Sequence, residues 1–327
     1  MRLTRSRAYA VHRVSVITKS TNGSGTSTSG VVFALCGYGW WAFVTPIYFH
    51  VIKQVPAMEQ LAWRVIAGVP TILFFLWLCS RHGEVRAALR NRTVLRTLAI
   101  SAALIAINWF VFMYAVMTDR LSHASLGYYI CPLVSVLLAR LVLGERLRPI
   151  QWASVALAAV GVVVMTLTMD SFPWIALALS LSFAFYGLVR KRVDAAPAPG
   201  LAVEMLLLFP IMLGFLIFVQ IDEGMSALGD DALITTLLIL GGVQTMVPLI
   251  FFAAGARRLR LSTLGLLQYI SPTGQLLLAV LLFGEPFGTG RFIAFACIWA
   301  AVLVYSIDTF RHARRSGTFD VSIPGEV

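Results

Sequence analysis

The sequence predicts an all-α integral membrane protein of ten transmembrane helices, laid out as two inverted five-helix repeats. Three observations predict it: a composition too apolar for a soluble domain, a ladder of membrane-length runs, and a duplicated segment. Of 327 residues, 59% are hydrophobic and 13% charged, whereas a soluble domain carries about 25% charged residues. The charges that remain lie between apolar runs, which marks a polytopic membrane chain. The net charge of +11 falls in the loops flanking those runs, as it does at the cytoplasmic face of membrane proteins, and excludes nucleic acid as the expected partner. Cys36, Cys79, Cys131 and Cys297 each sit inside an apolar run without metal-ligand spacing, so they read as small packing residues.

Residues 1–30 are basic and then rich in Ser, Thr and Gly, without the apolar core of a signal peptide. They read as a disordered cytoplasmic tail. Ten apolar runs follow at 31–49, 57–79, 94–117, 122–143, 150–169, 173–190, 201–220, 233–256, 261–283 and 290–308. At about 1.5 Å rise per residue each is long enough to cross a bilayer core of about 30 Å. They are numbered spans 1 to 10. A polar cytoplasmic tail, 309–327, closes the chain. With the N-terminus inside, 22 Lys and Arg residues fall on the cytoplasmic side. Only Lys53, Arg120 and Arg291 fall outside, together with the acids Asp119, Asp170, Asp222, Glu223, Asp230 and Asp231. That asymmetry satisfies the positive-inside rule with both termini cytoplasmic.

Span 4 and its exit, Leu121 to Glu145 (LSHASLGYYICPLVSVLLARLVLGE), recur 140 positions later as Leu261 to Glu285 (LSTLGLLQYISPTGQLLLAVLLFGE). Twelve of 25 columns are identical, including Tyr129/Tyr269, Pro132/Pro272 and the Gly-Glu exits. Shared Leu content does not produce such matches, so the segment is an internal repeat. Phe112 pairs with Phe252 at the same offset, and Glu59 with Glu204 at 145. The halves are therefore 31–169 and 170–308, five spans each. An odd span number inverts the second half in the membrane, an arrangement used by secondary transporters.

The stretches MEQLAWR, with Glu59 and Arg64, INWFVFMYAV, with Asn108-Trp109, and ASLGYYICPLVSVLLARLVLGERL resemble the RarD proteins. So does ARRLRLSTLGLLQYISPTGQLLLAVLLFGEPF. These proteins are a branch of the EamA-type permeases in the drug/metabolite transporter superfamily. The resemblance covers about 31–308. It implies a ten-helix EamA/DMT fold, a multi-pass location in the bacterial inner membrane, and permease activity.

Few polar residues sit deep in the runs. Arg64 lies about 10 Å down span 2 at 1.5 Å per residue, where a charge costs about 2.5–3.5 kcal/mol unless it meets a cavity or partner. Either it faces a cavity and binds an anionic group or locks a gate, or its stem snorkels to the outer surface. Glu59, five positions away, points about 140° round the helix at about 100° per residue. It is either a proton acceptor or inter-helix partner, or a solvated helix end. Asn108 is an inter-helix hydrogen-bonding residue or a ligand. Tyr128, Tyr129, Gln268 and Tyr269 precede Pro132 and Pro272, whose missing N–H groups kink their helices. These four line a central site or serve structure only. Trp41 is a packing or ligand-stacking residue, and Gln244 and Gln275 are weaker candidates. The Gly-Glu exits read as helix C-caps with left-handed glycine.

No Gly-rich phosphate loop is present, so ATP-driven transport is not encoded in the chain. The scattered histidines, His50, His82, His123 and His312, have no metal or triad spacing, and no enzyme activity, metal or cofactor is expected. The expectation is a secondary-active permease that moves a small organic metabolite or drug-like solute by alternating access, with the bilayer as its other partner. The sequence leaves monomer and homodimer open. The competing reading is a non-transporting accessory or enzyme subunit, which would not need polar residues mirrored at matched depths.

Overall fold

The computed structural model describes residues 27–118, 120–167, 172–222, 231–282 and 289–315. Every regular element among them is a helix. Most of the N-terminal tail, 1–26, the end of the C-terminal tail and the second Gly-Glu exit lie outside the described residues. Span 1 runs Thr28–Val51, started by the Ser27 side chain, which accepts from the Gly30 N–H. Spans 2 to 4 are Ala57–Leu78, Arg92–Met117 and Leu121–Val142. Spans 5 to 8 are Pro149–Thr166, Trp174–Arg192, Pro197–Asp222 and Ala232–Arg258, and span 10 is Thr289–Arg315. Among the described residues nine helices are long and apolar enough to cross a membrane.

The expected span at 261–283 is not one helix. It breaks into Leu261–Leu267 and Ile270–Leu281. Pro272 cannot donate to the Gln268 carbonyl four residues back, and that carbonyl accepts from the Ser271 N–H instead (3.0 Å). Pro132, the matching proline, leaves Leu121–Val142 unbroken. The repeats therefore differ where their sequences are most alike.

Two local features were not foreseen. Trp40–Val44 form a π turn in which the Thr45 N–H reaches back to the Trp40 carbonyl. A short amphipathic helix, His82–Arg90, joins spans 2 and 3, with Val85 and Ala88 inward. The Arg81 guanidinium grips Glu84 through two hydrogen bonds, 2.6 and 2.9 Å, and holds that carboxyl below the usual range.

Several of the closest neighbour relations are preserved when each span is exchanged with the one five places away. Span 1 packs on span 8 as span 6 packs on span 3. Span 4 packs on span 6 as the halves of span 9 pack on span 1, while spans 4 and 9, and 5 and 10, pair with their own mates. Those mates run antiparallel. Glu145, past the end of span 4, meets Leu261 at the start of span 9, while Cys131, midway along span 4, meets Gln268 at the break in span 9. Arg148, at the start of span 5, pairs with Asp308 at the end of span 10, and Gly161 packs on Ala294. These pairings carry the inversion read from the repeat.

Close approach at one point needs glycine. A Cβ on Gly242 would lie 2.7 Å from the Ala67 carbonyl and the Gly68 nitrogen, and one on Gly241 2.7 Å from the Tyr48 hydroxyl. The Gly241-Gly242 pair thus lets span 8 seat on span 2 where that helix is interrupted at Ala67, before Pro70.

Candidate functional site

A cavity of about 650 Å³ lies between the repeats. Spans 1, 2, 3 and 4 contribute Trp41, Arg64, Asn108 and Tyr128, and spans 6, 8 and 9 contribute Phe183, Thr245 and Gln268. His50, exposed at the far end of span 1, marks its mouth, away from the end where the arginine-bearing loops gather.

Arg64 is 9% exposed and is the one charged side chain assigned to this wall among the described residues. Its Nε donates to Thr245 Oγ1 at 2.7 Å. Its guanidinium carbon sits 5.3 Å from the Phe49 ring centroid and 5.2 Å from that of Trp109. Each such cation–π contact is worth about 0.5–2 kcal/mol as desolvation grows. The guanidinium is held along one edge by Thr245 and lies against two aromatic rings, and the side chain is buried within the bundle rather than extended to its surface. Arg64 takes part in none of the ion pairs among the described residues.

The π turn shapes another part of the wall. Because the Thr45 N–H bonds to Trp40, the Trp41 carbonyl is released and accepts from Gln275 Nε2 of span 9 at 3.1 Å. Thr45 Oγ1 accepts from Gln244 Nε2 at 2.7 Å. Such π turns recur at functional sites. The break in span 9 exposes Gln268, Ser271, Pro272 and Gln275 along the same wall. Asn108 donates to the Leu179 carbonyl and to Ser182 Oγ, both at 3.0 Å. It therefore ties span 3 to span 6 while lining the cavity.

Toward the arginine-rich end the cavity is floored by aromatic rings. Trp41 and Phe183 lie 5.7 Å apart, Phe183 and Phe252 5.0 Å, and Tyr186 stacks on Phe252 at 5.8 Å. Tyr38 closes this layer by donating to the Leu264 carbonyl (3.0 Å). Beyond it lies a polar seal between repeats. Glu145 accepts from the Leu261 N–H (2.8 Å), Ser262 N–H (3.3 Å) and Ser262 Oγ (2.6 Å), with Arg260 Nε at 3.6 Å. Arg148 and Asp308 pair alongside.

Several residues expected at a central site lie elsewhere. Tyr129 is buried against Phe295 at 5.3 Å, and Tyr269 donates to the Tyr129 carbonyl at 3.1 Å. Adjacent helical residues point about 100° apart, so only Tyr128 and Gln268 of each pair face the cavity. Pro132 is buried in span 4, and Pro272 alone of the two prolines lines the wall. Glu59 is 3% exposed, is not in the wall, and leaves Oε1 without a hydrogen bond. Its mate Glu204 is fully buried and pairs with Arg190 at 3.3 Å, with Tyr186 donating to it at 3.3 Å. Arg190 is thus a buried partner, 1% exposed, rather than a loop charge. Glu145 does more than stop a helix. Gly144 has the expected left-handed φ of 65°, and the next residue caps the other repeat. Phe49, Trp109 and Thr245 were missed, although Thr245 could have been flagged as a hydroxyl inside an apolar run.

A multi-pass helical bundle with two antiparallel, interlocked repeats and a cavity between them defines a membrane protein of the paired-repeat transporter class. The chain belongs to the EamA-like transporter family, which matches it over residues 28–167 and again over 172–307. It is 41% identical over 288 residues to the protein RarD of Escherichia coli, covering 88% of this chain and 97% of that one. It is also 41% identical over 290 residues to an uncharacterized transporter of Pseudomonas aeruginosa, covering 88% and 96%. A second protein of that organism, named a chloramphenicol-sensitive protein RarD, is 30% identical over 84% of this chain and 92% of its own length. A solved structure titled only as the crystal structure of a protein superposes with a TM-score of 0.68 at 19% identity, covering 86% of this chain and 98% of that one. That likeness speaks to the fold.

Proposed function

We propose that this protein is a secondary-active permease that carries a small organic solute across the bacterial inner membrane by alternating access. The arginine-rich end and both termini lie in the cytoplasm under this reading, by the positive-inside rule, and the cavity faces outward. The observation that carries it is the cavity itself: built by spans of both repeats, with exposed His50 in its lining at one end and a layer of aromatic rings and the Glu145 cap between the repeats toward the other. Inverted repeats give two states of similar energy, because exchanging the halves converts one opening into the other. The seal is made of side-chain contacts between repeats, so rocking one half against the other can release it.

Arg64, Tyr128, Asn108, Gln268 and Trp41 are the substrate-facing set in this reading, and Glu59, Tyr129 and Tyr269 support the helices around it. The test is reconstitution in liposomes with a metabolite and drug panel and no nucleotide. Saturable flux of a solute, blocked when an impermeant thiol reagent modifies Thr45→Cys in the cavity wall, is the expected result. Absence of saturable flux for every solute, with the protein correctly inserted, would reject the permease reading in favour of an accessory role.

A further inference from the structure

We infer that the cavity is a site for small organic monoanions, with a carboxylate on Arg64 and an apolar or aromatic body against the aromatic and aliphatic lining. The inference deepens the permease reading and rests on it for the meaning of the site. Its first support is the state of the guanidinium. Thr245 occupies Nε, and the Phe49 and Trp109 rings both lie against the guanidinium. The two terminal amino groups make no hydrogen bond to the protein among the described residues. Arg64 lines the cavity, so this unpartnered edge is the part left to meet a solute. An arginine fixed this way presents two parallel N–H donors, the arrangement that matches the two oxygens of a carboxylate.

Charge is the second support. No acidic side chain lines the cavity among the described residues, and Arg64 has no ion-pair partner there. The site thus carries one fixed positive charge in a poorly solvated space. A buried charge without a partner is costly, so a cationic solute is opposed and a monoanion completes the pair. The Tyr128 hydroxyl and the Gln268 side-chain NH2 also make no hydrogen bond to the protein among the described residues. Both line the same cavity and can donate to an anionic or carbonyl oxygen.

Third, the remaining wall is apolar and aromatic. Trp41, Ile105, Phe112, Phe183 and Leu249 line the cavity together with the polar residues. A cavity of about 650 Å³ falls in the range of about 300–1,000 Å³ that holds drug-sized ligands. A bare inorganic anion would leave these rings uncovered. A carboxylate with an aryl or alkyl body uses both parts of the lining.

The test is equilibrium binding to the purified full-length protein in nanodiscs, read by tryptophan fluorescence and thermal shift. The probes share one shape: 3-phenylpropionate, 3-phenylpropanamide and 3-phenylpropylamine, with hexanoate and cyclohexanecarboxylate as further acids. The expected result is an acid that binds about tenfold or more tightly than its amide, as a charged hydrogen-bonded pair requires, with the amine weakest. Arg64→Gln should erase the preference while the amide still binds, which also reports that the variant is folded. Thr245→Val, which only frees Nε, should weaken the acid about threefold to tenfold and keep the preference. Equal binding of acid and amide, tighter binding of the amine, a preference that survives in Arg64→Gln, or no acid binding below about 10 mM would overturn the inference. Flux separates the two readings. Arg64-dependent acid binding without saturable flux leaves the ligand class standing and removes the permease. Saturable flux of a neutral or cationic solute that Arg64→Gln does not alter does the reverse.

Discussion

Glu145 offers a direct handle on the conformational balance. Its carboxylate, with the side chain 10% exposed, accepts from two backbone N–H groups and one hydroxyl at the start of span 9. Losing a helix cap costs about 0.5–2 kcal/mol, and a hydrogen bond to a charged group contributes about 1.5–3 kcal/mol. A net loss of about 2 kcal/mol in Glu145→Ala is therefore a conservative figure, equal to a factor of roughly 30 in an equilibrium. Under the alternating-access reading the contact breaks when the arginine-rich end opens, so the variant should shift population toward states open there. Spin labels on Arg86→Cys and Arg311→Cys, both exposed at that end, would read the shift as a second, longer distance in pulsed electron resonance. Glu145→Gln, which keeps one acceptor oxygen, should fall between. If Glu145→Ala lowers the melting temperature and leaves the distance distribution unchanged, the carboxylate is a helix cap and not a latch.

Three further outcomes follow from the packing. Gly242→Ala places a Cβ 2.7 Å from the backbone of Ala67 and Gly68 and should cost about 1–3 kcal/mol as an overpacked contact, read as a lower melting temperature. Gly39→Ala, whose Cβ would meet nothing within 4 Å, is the control. Glu204→Leu should leave Arg190 buried and unpaired and cost about 3–5 kcal/mol, whereas the double change Arg190→Met with Glu204→Leu should recover most of it; equal loss in both would contradict the pairing. Gln275→Leu removes the partner of the part-buried Trp41 carbonyl and should destabilise by about 0.5–1.5 kcal/mol as a lost hydrogen bond, with loss of flux; unchanged thermal unfolding would contradict that contact.

The membrane ladder and the repeat were legible because hydropathy and column identity survive without structure. Arg64 was legible for the same reason, since a lone charge in an apolar run stands out. What the sequence hides is register. The π turn at Trp40–Val44 shifts one hydrogen bond by one residue, a change without a compositional mark. The break at Gln268-Tyr269 and the intact helix through Pro132 come from matching prolines, so a proline alone does not decide between kink and break. Tyr129 and Tyr269 were drawn into the expected site as members of pairs, yet helical geometry sends one residue of each pair to the cavity and the other to the repeat interface. Glu145 read as a local helix stop because its partners lie 116 and 117 positions away. Arg190 read as a loop charge because its partner, Glu204, belongs to the next helix.

The measurement that tests alternating access most directly is two-sided labelling of Ser271→Cys, a residue of the cavity wall in span 9, in a background without the four native cysteines. Right-side-out and inside-out vesicles would be treated with an impermeant thiol reagent, with and without a transported solute. The account expects labelling from the outside at rest and from both sides during turnover, with Glu145→Ala raising the rate from the cytoplasmic side. Labelling from one side under every condition would contradict it.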